Sequence, residues 1–306
     1  MYPRLSILII TYNREADTLD LLKNLQAQAD YEQYVGEVLV LNNASTVSYD
    51  ELKGFVAAHP ELKIRYIDHD ENLGVARGRN YLIQEARYPL LLVLDDDVVF
   101  EDTNGIRNAA LALDHPLFAQ NNTAVLTFSI FYYDTNTRQL NAFPHKDRRT
   151  YEGQHQFLTS YFIGAAHLMK RELFQQTGLY PTDFFYGAEE YDLSFRVLHA
   201  GYTIGYSDVV KIRHKESPLG RVSNSQKLSM IWYNKSTVAW KYLPKKYFYT
   251  TAFLWSLFFL KHSGFDLKNW FKTWAKVMRI PRSKPRHVIS NDALKYIDSV
   301  GGRLWY

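Results

Sequence analysis

Residues 90–97 read Leu-Leu-Leu-Val-Leu-Asp-Asp-Asp, five branched apolar side chains followed without a break by three carboxylates. A run of this kind predicts a strand buried on both faces, with the aspartates at its carboxyl end. Working outward, Leu5 to Ile10 and Glu37 to Leu41 are similar runs, ending in Thr11-Tyr12-Asn13-Arg14-Glu15 and Asn42-Asn43-Ala44-Ser45. A shorter run covers Ile64 to Ile67. Between them Leu19, Leu22 and Leu25 recur at helical spacing, and residues 49–58 and 76–85 read as further helices. Strand alternating with helix predicts an α/β fold, with a mostly parallel sheet covered by helices on both faces. Ligands of open sheets of this type bind at the carboxyl ends of the strands. Neither G-x-G-x-x-G nor G-x-x-x-x-G-K-[ST] follows any strand, which excludes a dinucleotide turn and a Walker-type phosphate loop.

Further along, residues 123–133 predict another strand, 134–160 a polar loop or hairpin, and Thr203 to Ile212 a strand. Helical spacing returns in Val222 to Tyr242 and in Asp266 to Met278. The 306 residues suffice for a large core, and the absence of cysteine excludes disulfides, a thiolate nucleophile and Cys-ligated zinc. The net charge of +4 conceals a division: residues 1–210 carry 17 basic and 28 acidic side chains, residues 211–306 carry 19 and 4. All six tryptophans (Trp232, Trp240, Trp255, Trp270, Trp274, Trp305) also fall in the basic part.

Three adjacent aspartates at a buried strand end raise one another's pKa unless a cation lies among them. Mg²⁺ or Mn²⁺ held among Asp95 to Asp97 is one reading, and an acidic turn capping the next helix is the other. A second cluster is Gly187-Ala188-Glu189-Glu190-Tyr191-Asp192-Leu193-Ser194-Phe195-Arg196. Its acids crowd the start of a helix, where the dipole favours them, yet three acids beside Phe184, Phe185 and Tyr186 also suit a general base projecting into a cleft. His214 follows the strand-like run that ends at Ile212.

Together, T-Y-N-R-E at 11–15, N-N-A-S at 42–45, N-L-G-V-A-R-G-R-N at 72–80, D-D-D at 95–97, F-I-G-A-A at 162–166 and G-A-E-E-Y-D-L-S-F-R at 187–196 resemble family 2 glycosyltransferases of the GT-A fold, among them bacterial surface-polysaccharide enzymes. The resemblance spans about 1–215. It implies an inverting, metal-dependent transferase with a nucleoside diphosphate sugar donor of UDP or dTDP type and a glycan or lipid-linked acceptor. By position, it implies that Thr11, Tyr12, Asn13, Glu15 and Arg77 line the donor, with Asn42 or Asn43 where a base-reading aspartate is usual. It further implies Asp95 or Asp96 on the ribose or sugar, Asp97, Asp95 and His214 on the metal, and Glu190 as base with Glu189 as rival. Gly164, Tyr186 and Asp192 fall on the acceptor side. The organisation it implies is a catalytic domain over 1–215, with nucleotide-binding (1–100) and acceptor (101–215) halves, and a helical region over 216–306.

In that last region, Trp270, Phe271, Trp274, Val277 and Met278 share one helical face, opposite Lys268, Lys272 and Lys276, as in helices that lie in a membrane interface. The longest uncharged stretch, Tyr247 to Leu260, has 14 residues where a spanning helix needs about 20. The apolar run after Arg4 is too short for a secretory signal. These features predict a cytoplasmic, peripheral protein on the inner membrane surface; the other reading is that the apolar faces pack on the catalytic domain and the lysines form its solvated exterior. No nucleic-acid module is recognisable. A sugar nucleotidyltransferase would need a glycine-rich basic loop where TYNRE stands, and a non-catalytic scaffold would be expected to have lost an acid.

Overall fold

The computed structural model describes residues 4–216, 224–302 and 304. Val222 and Trp305, both part of the readings above, lie outside the described residues. Nine strands form one sheet: β1 (Leu5–Thr11), β2 (Val35–Asn43), β3 (Ile64–His69), β4 (Leu90–Asp95), β5 (Val98–Phe100), β6 (Thr123–Tyr132), β7 (Gln156–Thr159), β8 (Ala166–Lys170) and β9 (Thr203–His214). Their order is β3-β2-β1-β4-β8-β6-β9-β5, with β7 also on β9. The β3-β2-β1-β4 half is wholly parallel, while β8 enters antiparallel between β4 and β6.

Alternation along each strand builds two cores. Leu5, Ile7 and Ile9 of β1, Val38 and Val40 of β2, and Leu92 and Leu94 of β4 face helix α1 (Glu15–Gln26) through Leu21, Leu22 and Leu25. Leu8, Leu39, Leu41, Leu91 and Val93 face the other way, toward α2 (Gly74–Glu85) and α3 (Glu189–His199), and meet Leu82, Ile83, Leu193 and Val197. Burial on both faces is why these strands read as unbroken apolar runs. Parallel register then aligns their ends: Thr11 pairs with Asn42, and Ile10 with Asp95.

Three more helices follow, α4 (Asn224–Tyr242), α5 (Lys245–His262) and α6 (Leu267–Val277). They share a core of Leu228, Trp232, Trp240, Phe248, Ala252, Phe259, Val277 and Ile280, with Trp255, Trp270 and Trp274 partly buried against it. This corrects the expected face of α6. Trp270, Trp274 and Val277 pack inward, whereas Phe271 and Met278 stay exposed, because the apolar arc is wider than the strip that α4 and α5 cover. α4 is also tied to the sheet body. Lys241 and Tyr242 both reach Asp192 of α3, at 2.6 and 3.0 Å.

Candidate active site

The strand ends converge on a cleft of about 280 Å³ lined by Tyr12, Arg14, Asn43, Arg79, Asp95, Asp96, Asp97, Tyr186 and His214, among others. The antiparallel pairing of β5 with β9 sets its most distinctive corner. Val98 lies opposite His214, and the Lys215 amide donates to the Asp97 carbonyl at 2.9 Å. That register brings a histidine more than a hundred residues away against the triple aspartate. Nε2 of His214 lies 3.1 Å from Asp97 Oδ1, and one ligand atom from each of Asp95, Asp97 and His214 falls within 4.8 Å of the others. On the far side of the ring, Nδ1 is 3.1 Å from Oε1 of Gln139. A carbonyl there takes the Nδ1 proton and leaves Nε2 as the ligating nitrogen, the outer-shell arrangement that metal-bound histidines use. Two carboxylates and an imidazole so oriented fit a divalent first-row cation.

The electrostatics agree with an acid-rich pocket. Burial pushes the Asp96 carboxyl up to about 7, the charges of Asp97 and Asp95 add to that, and Arg14 opposes it. Nη1 of Arg14 lies 2.8 Å from Asp96 and 3.2 Å from Asp97. For His214, burial works downward, but the hydrogen bond to Asp97 and the charges of Asp97 and Asp95 outweigh it and raise the pKa.

Arg79, only 4% exposed, joins this corner to the second acidic cluster. Its Nη1 is 2.9 Å from Glu190 and 3.5 Å from Glu189, and its Nη2 is 3.3 Å from Asp95 and 3.0 Å from the Gly164 carbonyl. Burial opposes the guanidinium charge, and Glu190, Asp95 and Glu189 more than restore it. The two glutamates differ in setting. The Glu189 side chain is 4% exposed and that of Glu190 15%. Burial, with the Glu190 charge behind it, raises the Glu189 pKa far above the carboxylate range. Both acids start α3 because Gly187 and Ala188, with φ of +81° and +69°, reverse the chain just before it. Gly164 is required for a different reason. A Cβ there would meet Glu190 Oε1 at 2.1 Å and Arg79 Nη2 at 3.2 Å.

The chain matches the model of glycosyl transferase family 2 over residues 6–178. It belongs to that family. An uncharacterized protein of Haemophilus influenzae is 32% identical over 183 residues, 58% of this chain and 92% of that one. The colanic acid biosynthesis glycosyl transferase WcaA of Escherichia coli is 32% identical over 95 residues, 31% of this chain and a third of its own length (33%). Among solved structures, mannosyltransferase PcManGT from Pyrobaculum calidifontis, in complex with GDP-Man and Mn²⁺, superposes with TM-score 0.62 at 17% identity, covering 98% of this chain and 79% of its own. S. aureus TarS 1-349 in complex with UDP-GlcNAc gives 0.62 at 16% identity, covering 90% and 81%. These likenesses are ones of fold, the GT-A arrangement expected from the sequence.

Of the residues expected on the donor, Tyr12, Asn43, Asp95 and Asp96 line the cleft, while Thr11, Asn13, Glu15 and Asn42 bond to neighbouring segments. Thr11 is buried, 2.6 Å from the Tyr49 hydroxyl and accepting from Thr18. Asn13 takes a left-handed turn and accepts from the Thr46 amide, and Glu15 accepts from the Leu52 amide. Asn42 donates to Asp68 and accepts from the Ser45 amide. These bonds knit the β1 and β2 loops together. Arg77 points out to Glu71, outside the cleft. Asp192, expected on the acceptor side, is 1% exposed and holds Arg196, Lys241 and Tyr242. Arg79, which sequence reasoning passed over together with Arg14, stands between the two acidic clusters. The apolar phase of the helix was the available signal, since Arg79 is three residues from both Ala76 and Leu82, whereas the residues three away from Arg77 are Gly74 and Asn80.

Proposed function

We propose that this family 2 enzyme transfers a hexosyl or deoxyhexosyl group, with inversion, from a UDP- or dTDP-type sugar to a hydroxyl of a glycan or lipid-linked acceptor in cell-surface polysaccharide assembly. One observation carries the reading: a single arginine, Arg79, bridges a metal-competent aspartate to a carboxylate suited to act as base. Asp95, Asp97 and His214 would hold Mn²⁺ rather than Mg²⁺, since Mg²⁺ prefers an all-oxygen set, and the ion would neutralise the departing diphosphate. Arg14, beside Asp96 and Asp97, supplies a second positive group on the same wall.

Glu190 is the base. Its side chain is 15% exposed against 4% for Glu189 and lies nearer the Arg79 guanidinium, at 2.9 against 3.5 Å, while burial and the neighbouring charge raise the pKa of Glu189. Glu190 takes the proton of the acceptor hydroxyl as that oxygen attacks the anomeric carbon. The bond to the diphosphate oxygen breaks, the nucleoside diphosphate leaves, and one displacement inverts the anomeric centre. Arg79 holds the Glu190 carboxylate in place through Nη1. An acceptor groove is supported next to it. Tyr191, which follows Glu190, stacks on Tyr161 with ring centroids 5.0 Å apart, and both rings line a polar cavity with His145 and Arg149. Flat aromatic walls of this kind receive the C–H faces of sugar rings while the polar groups reach the hydroxyls.

The test is a panel of nucleotide sugars screened for Mn²⁺-dependent thermal stabilisation, followed by determination of the product's anomeric configuration. Metal-dependent stabilisation by one donor and an inverted product are expected. Retention of configuration, or stabilisation equal with and without metal, would refute the reading.

A further inference from the structure

Helix α5 is apolar on two sides. Phe248, Ala252 and Phe259 enter the bundle core. On the outer side, Tyr249, Phe253 and Leu257 follow one another at four-residue spacing, with Leu254 and Phe258 beside them, and all five are 37–59% exposed. The turn into α6 and its outer edge extend the pattern with Phe265, Leu267 and Phe271, which are 54–69% exposed. Ten of the fifteen large apolar residues exposed among the described residues lie between 249 and 288. Water on the outer face of a helix selects polar side chains, so an apolar outer stripe needs a covering partner.

Charge identifies the partner. Residues 245–288 carry ten Lys or Arg and one acid, Asp266. That acid is engaged within the bundle, accepting from the Asn269 amide at the start of α6 and from Ser225. Lys245, Lys261, Lys272 and Lys276 make no ion pair among the described residues. We infer that the α5–α6 hairpin docks on a bilayer surface containing anionic phospholipid, its phenylalanines and leucines entering the headgroup boundary and its lysines meeting lipid phosphate. A second copy of the chain would bring the same cations against this face, and like charges oppose that contact. Among the described residues no helix is long and apolar enough to cross a membrane, so the hairpin lies on the surface.

The docked hairpin is coupled to the chemistry through α4. The Trp232 indole of α4 donates to the Ala252 carbonyl of α5 at 3.0 Å, and Asn234 donates to the carbonyls of Tyr186 and Gly187 just before Glu190. Docking therefore fixes the base-bearing side of the cleft relative to the lipid surface. This coupling to an acceptor in the membrane rests on the proposed function, whereas the docking itself does not.

The experiment floats the full chain, with neither donor nor metal, on vesicles of phosphatidylcholine alone and on vesicles in which a third of the lipid is phosphatidylglycerol. Recovery with the anionic vesicles, little with the neutral ones, and release at high salt are expected. Phe253→Asp with Leu257→Asp should weaken vesicle affinity at least about tenfold, and so should Lys268→Glu with Lys272→Glu and Lys276→Glu. Should the α5 variant misfold by circular dichroism, Phe271→Ser at a position 64% exposed carries the same expectation. Equal recovery on both vesicles, no recovery, or unaltered affinity in folded variants overturns the inference. So does a dimer in solution that these substitutions dissociate, because a second copy then covers the face. Sugar transfer is not read in this assay, so its outcome is separate from that of the proposed function.

Discussion

Gly164→Ala tests the assigned base without touching any titratable group. The new methyl would sit 2.1 Å from Glu190 Oε1, far inside van der Waals contact, while its next neighbour, Arg79 Nη2, is at 3.2 Å. Both are ends of side chains, so the backbone can stay in place while the carboxylate swings away. General-base catalysis contributes about 10²–10⁴ in rate, or roughly 3–5 kcal/mol of barrier. Loss of position should therefore lower kcat by at least about tenfold, on the way to the loss in Glu190→Gln. Neither Gly164 nor Glu190 lines the donor cleft, so donor affinity by calorimetry should stay near wild type. The two substitutions act on one group, and the double variant should fall no further than Glu190→Gln alone. A thermal midpoint near wild type separates this effect from unfolding. If folded Gly164→Ala keeps full kcat, or if its loss multiplies with that of Glu190→Gln, Glu190 is not the base.

Arg79→Met leaves Asp95, Glu189 and Glu190 around a site with no cation, and removing one partner from a buried ionic group costs roughly 3–5 kcal/mol. Urea unfolding should show a loss of this size, while Arg77→Ala, at an exposed pair with Glu71, should fall within about 0.5 kcal/mol of wild type. Asp97→Asn should weaken Mn²⁺-dependent donor binding and leave metal-free binding unchanged; equal calorimetric affinity with metal would exclude Asp97 as a ligand. For Glu189 the folded pKa is raised, so the unfolded chain loses its proton first as pH rises. Stability then falls between the ordinary carboxylate pKa and the raised one, by up to about 1.4 kcal/mol per pH unit. Glu189→Gln should flatten that slope and stabilise the fold at neutral pH, which chemical unfolding across pH 4 to 7 would reveal (roughly the window set by the unperturbed value).

The fold was legible where burial leaves a long signature. The doubly covered strands β1, β2 and β4 are unbroken apolar runs, and α2 and α6 have clear helical phases. β5, β7 and β8 have three to five residues each, too few to show alternation, and α5 is apolar on two sides, so it shows no single phase. In the candidate site, the triple aspartate stood out by pattern and the roles expected of Asp95, Asp97, His214 and Glu190 came from resemblance; in the structure Asp95, Asp97 and His214 cluster, and Arg79 links Asp95 to Glu190. Thr11, Asn13 and Glu15 carry the same side-chain chemistry as donor contacts. What sets them apart is partners at Ser45, Thr46, Tyr49 and Leu52, more than thirty residues along the chain, which no local pattern displays. The tryptophans were read as a membrane surface because composition shows where residues concentrate and not which way they face.

Why the chain divides its charge so sharply follows from the cleft itself. Three aspartates line it, and Glu189 and Glu190 are joined to it through Arg79, against the guanidinium groups of Arg14 and Arg79 and the imidazole of His214. On the proposed function, a diphosphate would add further negative charge beside these carboxylates, so a divalent cation would be needed to offset it and donor affinity would depend on the metal. Spreading basic residues around the cleft would remove that dependence and would also neutralise the base. Concentrating them beyond residue 211 keeps the cleft acidic, and it gives the α5–α6 hairpin a cationic rim on the side of the molecule linked through Asn234 to the start of α3. On this argument, moving three lysines from the hairpin to the cleft rim would leave the net charge at +4 and damage metal-dependent donor binding and vesicle docking at once.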